Sequence, residues 1–151
     1  VLDNPSESYH LENDTLTYNT DSGVANFNTE TFINSESGDI VAKKGTYNSR
    51  TGQVDFEGDT EIDTKEAILR GDFLDYNQET EEGIIRGNVE IFSKEDTFSI
   101  YGDEAYHHGK LHKFEVFGNA LFAKPISDSD TLFLSSDTLI AINDSINDSI
   151  N

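Results

Sequence analysis

The chain has 151 residues, 34% of them hydrophobic, no cysteine and a formal net charge of −20 at pH 7. That length suits one domain, and the charge argues against nucleic acid or an anionic membrane surface as a partner. Disulfides and thiolate metal sites are excluded, no run approaches the roughly 18 apolar residues of a membrane-spanning helix, and the low apolar content suits sheets that bury one face.

The first stretch, Val1 to Ser8, is polar, contains Pro5 and lacks periodicity. It carries neither an initiator Met nor a signal peptide, as in a processed or cut chain. Residues 1–8 and 143–151 are expected to be frayed or truncated ends, and residues 9–142 one all-β domain.

From there the sequence repeats. Extended segments DTLTY, KKGTY, DFLDY and DEAYH contain Tyr18, Tyr47, Tyr76 and Tyr106, spaced 29, 29 and 30 residues apart. A fifth copy, Ser136 to Ile140, has Leu139 and Ile140 but no Tyr. Each Tyr precedes a polar turn expected to close on glycine: NTDSG to Gly23, NSRTG to Gly52, NQETEEG to Gly83 and HHG to Gly109. Asn, Asp, Ser and Gly favour such turns, so each unit reads as a hairpin.

A second marker closes each unit: Gly58-Asp-Thr-Glu-Ile62, Gly87-Asn-Val-Glu-Ile91 and Gly118-Asn-Ala-Leu-Phe122, with Asn28-Thr-Glu-Thr-Phe32 as the degenerate first copy. A glycine inside a strand marks a bulge or bend, so each unit is expected to turn a corner there and send its chain into a second sheet. Asp63 to Ile68 reads as a loop. A unit of about 29 residues cannot close a core alone; stacked units can.

The pattern D-x-L-x-Y, polar turn, glycine, short strand, G-N-V-x-I resembles the OstA-like domain of lipopolysaccharide transport. This is the fold of the bridge proteins LptA and LptC and of the amino-terminal domain of LptD. The resemblance runs from Leu11 to Ile142 and is best at Leu69 to Phe92 and Ile100 to Phe122. The chain departs from it at Asn28, where glycine is expected, and at Lys43-Lys44, where Asp is expected. What it implies is an OstA-like β-jellyroll of antiparallel strands in two facing sheets. A hydrophobic groove between the sheets would carry lipid acyl chains across the periplasm of a Gram-negative bacterium. It also implies lipopolysaccharide or a related glycolipid and other Lpt-type components as partners, and head-to-tail self-association into a bridge.

Acyl-chain burial is worth about 0.8 kcal/mol per CH₂, so such a groove needs only apolar inward faces that are incompletely filled. The expected groove residues are Leu16, Tyr18, Phe27, Phe32, Ile62, Leu74, Tyr76, Ile85, Val89, Ile91, Ile100, Phe114, Val116 and Phe122. Packed core is the competing reading for each. Strand parity stays open, because a bulge at Gly71 or Gly102 flips every later side chain.

His107, His108 and His112, with Glu104, could ligate a metal if the turn brought them together, since adjacent strand residues point oppositely. A solvated turn is the competing reading. Ser127 to Asp130 lacks the spaced glycine and glutamate of a calcium loop. No cofactor is expected. No G-x-S-x-G, P-loop or H-E-x-x-H motif is present, so the chain is not read as an enzyme. A surface or structural β-repeat binding glycans or partner proteins is the alternative class, and an enzyme on a right-handed β-solenoid a third.

Overall fold

The computed structural model describes residues 2–4, 9–12, 15–35 and 38–142; of the expected frayed ends, residues 1, 5–8 and 143–151 lie outside these. Among these described residues thirteen strands form one antiparallel sheet that does not close into a barrel. The first seven are short: β1 (Leu2–Asn4), β2 (Tyr9–Glu12), β3 (Leu16–Asn19), β4 (Val24–Phe27), β5 (Thr31–Ser35), β6 (Gly38–Ala42) and β7 (Lys44–Asn48). The last six are long: β8 (Gln53–Asp63), β9 (Ala67–Asn77), β10 (Glu82–Ser93), β11 (Ser99–His108), β12 (Lys113–Ser127) and β13 (Asp130–Ile142). A 3₁₀ turn, Gly109–Leu111, joins β11 to β12.

The hairpin turns are built alike. Asn19, Asn48 and Asn77 each follow the repeat tyrosine, and each side-chain Oδ1 accepts backbone N–H bonds from two and three residues on, at 2.9–3.3 Å. This is the local bonding that makes Asn a turn residue. Gly23 and Gly52 then take positive φ four residues after the Asn. In the third unit that place belongs to Glu81, at φ 59°. Gly83 is therefore not the turn glycine that the sequence suggests; it lies inside β10. The turns also bond to one another: Ser49 N–H donates to the Gly23 carbonyl, Gln78 to Gly52, and Gly109 to Glu81, at 2.8–2.9 Å. Asp63 to Ile68 is a tight connection between β8 and β9, with only Thr64 to Glu66 outside the strands.

The corners sit where the second marker places them. Gly58, Gly87 and Gly118 have φ of 83°, 75° and 72°, and the residues after them, Asp59, Asn88 and Asn119, are also at positive φ. Each pair inserts one extra residue into β8, β10 or β12, a bulge that bends the strand. Gly71 and Gly102 lie opposite the bulges and carry no insertion. A Cβ on Gly71 would collide with Ile85 Cγ2, and one on Gly102 with Val116 Cγ1. Parity does flip after them, since Leu69 and Leu74 are both buried, but close approach rather than a bulge explains the two glycines.

The two sequence markers meet at these corners. Asn88 Nδ2 donates to Asp72 at 2.8 Å and Asn119 Nδ2 to Asp103 at 2.9 Å. At the third corner Lys43 bonds Asp59. The lysine where Asp is expected is thus answered by an aspartate where Asn is expected.

The bends divide the sheet into two layers. The first contains β3, β4 and β7, then the halves of β8 to β13 nearest the Asn turns. The second contains β1, β2, β5 and β6, then the other halves. Both contribute to one buried cluster, from Phe27, Phe56 and Val116 to Ile33, Ile91 and Ile100. Charges stay outside: Arg70 bridges Glu61 and Glu90, and Arg86 pairs with Glu104 at 2.8 Å.

Candidate functional site

Strand register arranges the inward side chains in rows. Beside the corners the buried row is small: Thr31, Ala42, Thr60, Gly71, Val89 and Ala120. Deeper in the first layer, Leu16, Phe27, Gly45, Phe56, Leu74, Ile85, Ala105, Val116 and Leu139 run across nine strands. Gly45 and Ala105 interrupt its larger residues, and Phe27 meets Phe56 edge-on at 5.3 Å. Facing it, the second layer presents Ile33, Ile40, Ile62, Leu69, Ile91, Ile100 and Phe122. This side of the molecule is filled.

Away from the corners the layers part around a cavity of about 450 Å³, within the 300–1,000 Å³ typical of small-molecule sites. Its floor includes Ile40, Ile62, Leu69, Leu74 and Ile85. The hairpin tips form its rim: Thr64 to Glu66 from the second layer, and Gln78, Glu81 and His112 from the first. The last inward row before the first-layer turns reads Tyr18, Ala25, Tyr47, Val54, Tyr76, Gly83, His107, Phe114 and Ala141. Its Tyr76, His107 and Phe114 line the mouth.

These three rings stack. His107 lies 4.5 Å from Phe114 at 25° and 6.2 Å from Tyr76 at 28°. Tyr76 and His107 are two strands apart, with Gly83 between them. Strand spacing alone would hold them about 9.5 Å apart, so both rings lean over Gly83. A Cβ there would come within 2.8 Å of the Tyr76 ring. Burial pushes the His107 pKa below its ordinary value and outweighs the opposing pull of Glu82 and Glu81. Burial, then Glu81, raises that of Tyr76.

Of the residues expected in a groove, Ile62, Leu74, Tyr76, Ile85 and Phe114 line this cavity. Phe27, Val89, Ile91, Ile100 and Val116 are buried in the filled side. Leu16 and Phe122 pack against that core. Tyr18 is 38% exposed on the β3 edge, its hydroxyl 3.2 Å from Ser49 Oγ. Phe32 is a correction: it points out of the second layer and is 51% exposed, while its neighbour Ile33 faces in. The break between β4 and β5 sets that parity, and an Asn28 without the corner glycine hides it in the sequence.

Ile40 and Leu69 escaped sequence reasoning, although Ile40-x-Ala42 and Leu69-x-Gly71 alternate as inward pairs. The sequence offers His107 only as a metal candidate, and its place in the cavity is hidden for another reason. The 30-residue last step of the repeat puts Tyr106 on the outer face, edge-on to Phe117 at 5.5 Å, and His107 takes the inward place of Tyr76. The three histidines do not converge. His107 and His112 line the cavity, while His108 bonds Glu82 on the outer face at 2.8 Å. Among the described residues no group of three or more His, Cys, Asp or Glu side chains could hold a metal ion.

No family model matches the chain, and no curated protein matches it. A solved structure is similar: LptH from Pseudomonas aeruginosa, described as the LptA-homologous periplasmic component of the lipopolysaccharide transport device. The TM-score is 0.66, at 9% identity, covering 92% of this chain and 97% of that one. At that identity the likeness establishes the fold, an OstA-like jellyroll of the LptA type.

Proposed function

We propose that this chain is a non-catalytic carrier that takes the acyl chains of lipopolysaccharide or a related glycolipid into the open side of its jellyroll and passes them on within the periplasm. The observation that carries this reading is the cavity: an apolar floor between the two layers, open at the hairpin tips, on a fold shared with a lipopolysaccharide transport component. Each CH₂ moved from water onto that floor contributes about 0.8 kcal/mol. The sugar and phosphate stay in water, beyond the rim. Directional flow needs an energy source outside the chain.

The long strand β13 supports a bridging role. Among the described residues it pairs only with β12, and it exposes Leu132, Phe133, Leu134 and Ile140. An open edge of this kind accepts another strand, and a head-to-tail contact propagates rather than closes. Lpt-type components or a second copy are the proposed occupants.

Photo-crosslinking to lipopolysaccharide tests the carrier reading. A crosslinker at Ile62, Leu74 or Phe114 should give lipid adducts, and one at the outward Phe73 should not. Adducts nowhere, with folded protein and lipid present, would turn the reading toward a structural β-repeat.

A further inference from the structure

The mouth of the cavity holds a polar group where the fold elsewhere uses tyrosine. Tyr18, Tyr47 and Tyr76 occupy the last inward row of the first three units, and His107 occupies it in the fourth. It stands at a seam. One row inward lie Leu74, Ile85 and Val116; one turn outward lie Glu81 and His112.

Two features separate this imidazole from its neighbour. His108 is engaged on both nitrogens, by Glu82 at 2.8 Å and Glu115 at 3.5 Å. The His107 side chain makes no hydrogen bond among the described residues, and its nitrogens are not among the enclosed, unpartnered side-chain atoms. The ring lines the cavity. A neutral imidazole offers one donor and one acceptor, here held in place by the Phe114 stack and the lean over Gly83. The surrounding charge is unfavourable to an anion. Glu66 and Glu81 stand on the rim, and Lys65 is the one fixed cation among the described lining residues.

We propose that His107 reads the first polar group of the ligand, so that the groove takes an apolar chain rooted in a neutral hydrogen-bonding group, an ester, amide or hydroxyl, in preference to the same chain ending in a carboxylate. This rests on the carrier reading and names the chemical class that the groove selects. The chain slides over Leu74 and Ile85, and its first oxygen or nitrogen meets the imidazole at the mouth.

The test is displacement of the fluorescent apolar dye 1-N-phenylnaphthylamine from the full chain at pH 8, by glycerol monolaurate and by laurate below their micellar concentrations. The wild type should bind the monolaurate more tightly. His107→Phe keeps the stacked ring and removes its polar atoms; it should weaken monolaurate by about three- to tenfold, the worth of one neutral hydrogen bond, and leave laurate unchanged. An equal loss for both ligands, or no loss, would overturn the assignment while the groove stood. Failure of both ligands to displace the dye from the wild type would instead bring down the groove itself. Should the variant not fold, ¹⁵N shifts of the wild-type His107 ring decide: movement with monolaurate supports the contact, and stillness refutes it.

Discussion

The two sides of this folded sheet are made of different chemistry. Along the corners the inward residues are small and buried, the glycines sit at positive φ, and side chains tie one strand to the next: Asn88 to Asp72, Asn119 to Asp103, Lys43 to Asp59. Along the open side Tyr76, His107 and Phe114 are large and half-buried, and the layers stand apart around a cavity. The same strands run through both. A bend is stable where small residues let the layers close; a cavity survives where aromatic residues hold them open without filling the gap.

The largest effect should come from emptying the filled side. Phe27→Ala removes a ring that is 1% exposed and should cost about 3–5 kcal/mol. Phe114→Ala, at the mouth, should cost clearly less, because part of that ring already faces the cavity. Urea unfolding of the two variants side by side measures the contrast; equal losses would mean that the open side is as tightly packed as the corners. Next is the bend itself. Gly87→Ala forces a Cβ onto a backbone at φ 75° and against the Asp72 carboxylate, for about 2–3 kcal/mol. Gly83→Ala, at ordinary φ on the open side, should instead part the Tyr76–His107 stack at a smaller cost in stability.

A gain is expected at Thr60. It is 3% exposed, in the small row beside the corners, and its hydroxyl has no partner among the described residues. Thr60→Val keeps the shape and removes the unpaired group, and should stabilise by about 1 kcal/mol, read as a higher thermal midpoint. The Lys43–Asp59 corner is exposed, so its pair contributes little to stability. Lys43→Asp alone sets two carboxylates against each other. Adding Asp59→Asn rebuilds the arrangement of the other two corners and should recover the loss in a double-mutant cycle.

The smallest expected effect is a pH slope from the open side. His107 is surrounded by Tyr76 on β9, Glu82 on β10, His108 on its own strand, and Glu81 and His112 in the turns. Burial dominates and lowers its folded pKa below the ordinary 6.5. The unfolded chain therefore takes the proton first. The contribution of neutral His107 to stability is complete above about pH 6.5 and is lost as the pH falls toward the folded value. His107→Phe should flatten that part of the stability–pH curve. An unchanged slope would place the proton uptake on other groups.

Much of this was legible in the sequence. The period, the Asn-led turns and the corner glycines are local chemistry: Asn bonds its own turn, and glycine alone enters positive φ cheaply, so Asn48, Gly52, Gly87 and Gly118 mark their structures wherever they pack. Five of the cavity residues, Ile62, Leu74, Tyr76, Ile85 and Phe114, could be named for the same reason, as apolar members of alternating strands. What the tertiary structure decided is which way those alternations point. Gly71 faces Ile85 beside bulges that lie on the neighbouring strands, so the parity of β9 is set with β8 and β10. Phe32 points outward because its strand breaks instead of bulging. His107 stands in the place of a tyrosine because one extra residue in the repeat moves Tyr106 to the other face. Period is written in each unit; face is a relation between strands, and only pairing assigns it.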